Sequence, residues 1–269
     1  MEGLDFALTK TFDTVSSATG PGGSGTRQPK PAILIFINGY RMAMPVANII
    51  REFKRTDEVT TFDINDYWND IDDQFKTRLN DQFSFYADGD APTLTAKNHM
   101  GFEARKLHGK RAAQSLMRQI TAIKNLPKET ASLNRTRFGT NAALKNYDPK
   151  KIPIDIVCHS MGYAYALGMI EELIASGFWV DRLYAIAPEN PTSGYTPGFL
   201  EVANQYGSGV SDPWYQQDRI APQGKIPGIK ERAFIPQGVE KGPYDSHSIA
   251  NYGWIFKIKQ YQQGYISPR

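Results

Sequence analysis

The run Ile154-Asp155-Ile156-Val157-Cys158-His159-Ser160-Met161-Gly162-Tyr163-Ala164 places a serine at the junction between a short apolar stretch and a helix-forming segment. A serine hydroxyl is a poor nucleophile at neutral pH. To react it must be held exposed, beside a base, and near backbone N–H groups that can receive a developing oxyanion. A tight strand-to-helix turn meets all three needs, but it is crowded and asks for small residues two before and two after the serine. Gly162 meets the second requirement. Cys158 stands at the first, where glycine is usual; cysteine is small and behaves as a buried hydrophobe when unreactive. The structural alternative is that Ser160 only caps a helix beginning near Met161.

A nucleophilic serine needs a general base, and His247 lies downstream in Tyr244-Asp245-Ser246-His247-Ser248-Ile249. It follows an expected strand at 232–235 and precedes an expected terminal helix. Asp212, in Ser211-Asp212-Pro213-Trp214, follows the second strand expected beyond the serine. Both positions fall at the carboxyl ends of strands, where open α/β sheets build their sites. His247 would take the serine proton, and Asp212 would hold the imidazole tautomer and stabilise the imidazolium. Each also has an ordinary reading, Asp212-Pro213 as a turn and His247 as a cap on the terminal helix. Glu189 and Asp218 stand as alternative acids. His159, beside the nucleophile, points away from it in such a turn and has a supporting role at most.

These side chains need a sheet to hold them. Ala32-Ile33-Leu34-Ile35-Phe36-Ile37 reads as a strand buried on both faces and ends in the turn dipeptide Asn38-Gly39. A short helix is expected over 46–53 and a strand over 58–64. Residues 65–97 read as an irregular, acidic and aromatic insertion, which is either a lid over an acyl pocket or a surface loop packed by its own aromatics. A long helix is expected over 99–124, with Ala113, Leu116, Met117, Ile120 and Ile123 on one stripe. Residues 125–150 read as a second, basic surface insertion, either a solvated loop or a contact to anionic lipid. The nucleophile strand is expected over 152–157 and its helix over 161–176, closed by Gly177. Further strands are expected over 179–187, 200–206 and 232–235.

Composition bounds the function classes. At 269 residues and 41% apolar content the chain is one large α/β domain, expected over 31–269, behind an N-terminal segment and Gly/Ser/Pro linker over 1–30. One cysteine excludes an intramolecular disulfide and a cysteine metal cluster. The four histidines, His99, His108, His159 and His247, are too scattered for a metalloprotease helix, so no metal is expected. A net charge of +3, from 31 basic and 28 acidic residues, gives no case for nucleic acid. No apolar stretch is long enough to span a bilayer, and no Sec-type leader is expected from the opening Met-Glu-Gly-Leu-Asp. The expected setting is therefore cytoplasmic, or exported by another route.

In motif order over roughly 31–260, the chain resembles the α/β-hydrolase superfamily, and within it lipase-like serine esterases. The resemblance rests on Phe36-Ile37-Asn38-Gly39-Tyr40, Val157-Cys158-His159-Ser160-Met161-Gly162, Ser211-Asp212-Pro213-Trp214 and Ser246-His247-Ser248. It is also faintly similar to hydrolase modules at the ends of large bacterial Rhs-type or secreted toxin proteins. The resemblance implies a mostly parallel sheet with helices on both faces, and a triad in the chain order Ser160, Asp212, His247. It implies an oxyanion hole from the Met161 N–H and from Tyr40 or Arg41 in the loop after the first strand, where Asn38 replaces the family's histidine. The implied reaction is cleavage of a small-molecule or lipid ester through an acyl-enzyme on Ser160. An acyltransferase using the same triad, or a non-catalytic binding module on the same fold, are the alternatives.

Overall fold

The computed structural model describes residues 32–39, 59–60, 63, 66–79, 81–89, 98–122, 148–207, 224–230, 232–235, 247–258 and 263–268. Its strands are β1 (Ala32–Ile37), β2 (Val59–Thr60), β3 (Asp81–Ala87), β4 (Ile154–His159), β5 (Val180–Ile186), β6 (Val202–Tyr206), β7 (Arg232–Ile235) and β8 (Gly264–Pro268). Its helices are α1 (Ile71–Leu79), α2 (Asn98–Ala122) and α3 (Gly162–Ala175), with 3₁₀ segments at Pro191–Ser193 and Ile249–Lys257. The strands form one sheet in the order β2-β3-β1-β4-β5-β6-β8-β7. β2 is antiparallel to β3, and every other neighbouring pair is parallel.

The continuous apolar runs of β1 and β4 put them at the centre, since a parallel strand covered on both faces has no polar side to offer. Ile33, Ile35 and Ile37 join Ile154, Ile156 and Cys158 under α2 and α3, whose Ala112, Leu116, Ile120, Leu167 and Ile170 fill that layer. Leu34, Phe36 and Val157 point to the other face, beneath Ile71, Phe75 and Leu79 of α1 and Tyr252 and Ile255 of the second 3₁₀ segment. This is the expected α/β class with helical cover on both faces.

Two glycines let α2 and α3 touch backbone to backbone. A Cβ on Gly109 would stand 1.9 Å from the Tyr165 carbonyl oxygen, and one on Gly168 would stand 1.8 Å from that of Lys106. Lys106 and Lys110 of α2 also clasp Glu171 of α3 at 2.6 and 2.8 Å. Burial alone would raise the Glu171 carboxyl, but hydrogen bonds from Lys106, Lys110 and Tyr195 outweigh it and bring the group down to about 2. α3 closes as its sequence predicts. Gly177 takes φ +80°, its N–H reaches the Ile174 carbonyl at 2.9 Å, and the Phe178 N–H reaches Leu173 at 3.0 Å.

Two expectations are corrected, and one strand is added. The stretch 65–97 reads as an irregular insertion or lid in the sequence, but its described residues form α1 and β3, and β3 pairs along β1 inside the sheet. The alternation Phe83, Phe85, Ala87 carries that strand, buried against the α2 face. The terminal helix is a 3₁₀ segment, because its buried Ile249, Tyr252 and Ile255 recur every third residue, the spacing that aligns side chains in a 3₁₀ turn. The chain then adds β8, which had no counterpart in the sequence reading and slots between β6 and β7. The expected strand over 58–64 is described as a strand only at Val59–Thr60. The expected helix over 46–53 and nearly all of the expected 125–150 insertion lie outside the described residues.

The topology also fixes where a site can form. From β1 the chain moves outward to β3, and later crosses back to β4 on the opposite side of β1. The connection after β1 brings in α1 on one face, while β4 leads into α3 on the other. That reversal falls at the carboxyl ends of β1 and β4, the place where open α/β sheets bind ligands.

Candidate active site

Ser160 stands at this reversal, in the turn between β4 and α3, with φ +56°. A left-handed conformation is uncommon for a residue with a Cβ, and it persists only where the surroundings over-determine it. Here they do. The Ser160 N–H donates to the Ile186 carbonyl at 2.9 Å, and its own carbonyl accepts from Tyr163 at 3.2 Å and Glu189 at 3.0 Å. Gly162 is required for proximity, since a Cβ there would meet the Asn38 and Ile37 carbonyl oxygens at 2.6 and 2.7 Å. Cys158, the departure from the usual glycine, is fully buried in the α2–α3 core, and burial pushes its thiol up out of reactive range.

His247, 87 residues away, places its Nε2 2.8 Å from the Ser160 Oγ. The imidazole is half-buried at the start of the second 3₁₀ segment. Met161, immediately after the serine, is the N-cap of α3, so its N–H belongs to the unpaired, electropositive end of a 14-residue helix. The arrangement provides a hydroxyl with a proton acceptor at hydrogen-bond distance and a helix terminus beside it. Ser160 is 3% exposed, more enclosed than the open position expected of it.

The end of β1 is bound tightly against this turn. The Asn38 amide donates to Asp88 Oδ1 at 3.0 Å, and its oxygen accepts from the Gly89 N–H at 3.1 Å, tying the ends of β1 and β3 together. Gly39 lies directly on the serine, leaving no room for a side chain. The Gly39 N–H is already committed to the Tyr67 hydroxyl at 2.9 Å. An oxyanion donor from this loop must therefore come from a later residue.

His159 is 3% exposed and uses both ring nitrogens. Nε2 is 2.9 Å from the His247 carbonyl oxygen, and Nδ1 is 2.5 Å from the Tyr67 hydroxyl. A carbonyl only accepts, so Nε2 carries the proton. Burial first, and then the nearby His247, hold the imidazole pKa well below its ordinary value, so Nδ1 is bare and accepts from Tyr67. Tyr67 is in turn set by its neighbour. Trp68 is buried against Phe36 at a 5.1 Å ring separation, and its N–H donates to Asp63 Oδ2 at 2.9 Å. Burial lifts the Asp63 carboxyl to about 6, opposed by the Trp68 N–H.

Of the residues singled out from sequence, Ser160, Met161 and His247 come together. Asp212, the alternative acid Asp218, and Tyr40 and Arg41 lie outside the described residues. Glu189 is engaged elsewhere, 3.9 Å from Arg105 and accepting from the Asn190 amide at 3.2 Å. The sequence reading missed Tyr67, which stood among the aromatics of the 65–97 stretch with nothing in its local pattern to separate it from them. Among the described residues, no group of His, Cys, Asp or Glu side chains is arranged to hold a metal ion, and no helix is long and apolar enough to cross a membrane. No family model, curated protein or solved structure matches the chain.

Proposed function

We propose that the protein is a serine hydrolase of the α/β-hydrolase type that cleaves carboxylic esters through an acyl-enzyme on Ser160. The observation that carries this reading is the 2.8 Å approach of His247 Nε2 to a serine oxygen held on a strained strand-to-helix turn. A serine serving only as a helix cap has no use for a histidine drawn from 87 residues away, nor for φ +56°.

In the proposed reaction Ser160 Oγ attacks the ester carbonyl carbon while His247 Nε2 takes its proton. The carbonyl oxygen becomes an oxyanion received by the Met161 N–H and, from the sequence resemblance, by Tyr40. The tetrahedral intermediate collapses as His247 returns the proton to the departing alcohol. Water, deprotonated by His247, then attacks the acyl-enzyme and frees the acid. Asp212 is the proposed partner of the imidazole, on sequence order alone. The reaction calls for no cofactor.

Pre-steady-state hydrolysis of p-nitrophenyl esters tests the reading. A burst of nitrophenolate followed by slower turnover, lost in Ser160→Ala and His247→Ala, is the expected result. Added primary alcohols separate hydrolysis from acyl transfer, because a transferase would yield the new ester in preference to the acid. Turnover that survives Ser160→Ala would refute the assignment.

A further inference from the structure

We propose that His159 and Tyr67 are positioning residues that lock the general base, the nucleophile and the oxyanion loop into one register. The inference rests on the reading of Ser160 as nucleophile and of His247 as its base.

A continuous chain of hydrogen bonds runs from the Gly39 N–H to the Tyr67 oxygen, from the Tyr67 hydroxyl to His159 Nδ1, and from His159 Nε2–H to the His247 carbonyl. Each end lands on the backbone of a residue that matters to the reaction. Gly39 precedes the residue assigned to the oxyanion hole, His159 precedes the nucleophile, and the accepting carbonyl belongs to the base itself. If His159 were an ordinary buried histidine, any acceptor would satisfy it. Instead its two nitrogens tie the segment before α1, through Tyr67, to the backbone of His247, and Tyr252 of the second 3₁₀ segment packs on its ring at 6.2 Å.

The chemistry explains why the bridge is an imidazole. His247 becomes a cation during the reaction, and its ring centroid lies 5.1 Å from that of His159. A lysine or arginine donor at 159 would repel that cation, whereas a neutral imidazole donates to the carbonyl without opposing it. The bridge also needs an acceptor for Tyr67, which the same ring supplies at Nδ1. A displacement of the base by about 1 Å can cost about 10²-fold in rate, so holding its backbone is worth a dedicated pair.

The experiment is fluorophosphonate labelling of wild type, Tyr67→Phe, His159→Leu and His159→Gln, followed to completion by intact mass. The final stoichiometry counts folded, competent protein, while the rate constant per labelled molecule reads positioning. Glutamine keeps an amide N–H within reach of the His247 carbonyl, and leucine removes both bonds. The expected result is a loss of about 10²-fold in the inactivation rate constant for Tyr67→Phe and His159→Leu, with reagent affinity unchanged and part of the loss restored in His159→Gln. If leucine at 159 lowers the stoichiometry through misfolding, Tyr67→Phe and His159→Gln decide the matter. Wild-type rate constants in both would overturn the positioning role alone, and a wild type that does not label would overturn the reading of Ser160.

Discussion

The backbone of Gly39 packs against the side chain of Ser160, so that a Cβ placed on Gly39 would stand 2.6 Å from the serine Cβ. The same added carbon would meet the His159 carbonyl and the Tyr67 hydroxyl, both at 2.9 Å. No neighbour can yield without moving the serine, the loop after β1, or the tyrosine that links them. Gly39→Ala is therefore expected to lower kcat for ester hydrolysis by about 10²-fold or more while the protein stays folded by circular dichroism. Wild-type kcat in that variant would show that the contact does not position the serine.

The left-handed turn at Ser160 should be visible in stability as well as in rate. Replacing the serine by glycine relieves the φ +56° conformation, whereas alanine keeps the clash of its Cβ. Ser160→Gly is expected to be more stable than Ser160→Ala by about 1 kcal/mol in urea unfolding. That ranking is the reverse of the usual one, in which alanine is the more stable of the two.

Helix α3 follows the Ser160 turn and is fixed by its crossing with α2. Gly168→Ala drives a carbon to 1.8 Å from a backbone oxygen, which only a shift of one helix can relieve. A loss of about 1–3 kcal/mol is expected in urea unfolding. Gly198→Ala, where the added carbon meets nothing within 4 Å, serves as the control and should change stability by less than about 0.5 kcal/mol.

The pH dependence of stability follows from two groups of opposite sign. Asp63 titrates near 6 in the fold against 3.8 unfolded, so the folded state holds more protons between those values. Its contribution is full below 3.8 and is lost as pH rises towards 6. Asp63→Asn keeps an acceptor for the Trp68 N–H and should remove that slope. His159 stays neutral in the fold while the unfolded chain protonates near 6.5, so its contribution is present above 6.5 and is lost as pH falls. His159→Gln should flatten the acid side. Urea midpoints at pH 4, 5, 6 and 7 check both.

Much of this architecture is legible in the sequence, for identifiable reasons. The strands β1 and β4 announce themselves because a strand covered on both faces is apolar throughout, and α3 because Gly177 supplies the left-handed stop that its C-terminus needs. β3 was obscured by the acidic residues on either side of its short Phe83, Phe85, Ala87 alternation. β8 was obscured because, among its described side chains, Tyr265 and Ile266 are the apolar ones it buries, and it relies on Asn204 to accept its first N–H. The meeting of His247 with Ser160 at the end of β4 could be expected from residue type and chain order. The partnership of Tyr67 with His159 could not, since it spans 92 residues and depends on how two loops meet over the sheet.

The most direct test of the central claim is the reaction of the pure protein with a fluorophosphonate, read by intact mass and peptide mapping. The account predicts one adduct per chain, on Ser160, abolished in Ser160→Ala and strongly slowed in His247→Ala. An unlabelled wild type of intact fold, or an adduct that persists in Ser160→Ala, would contradict it.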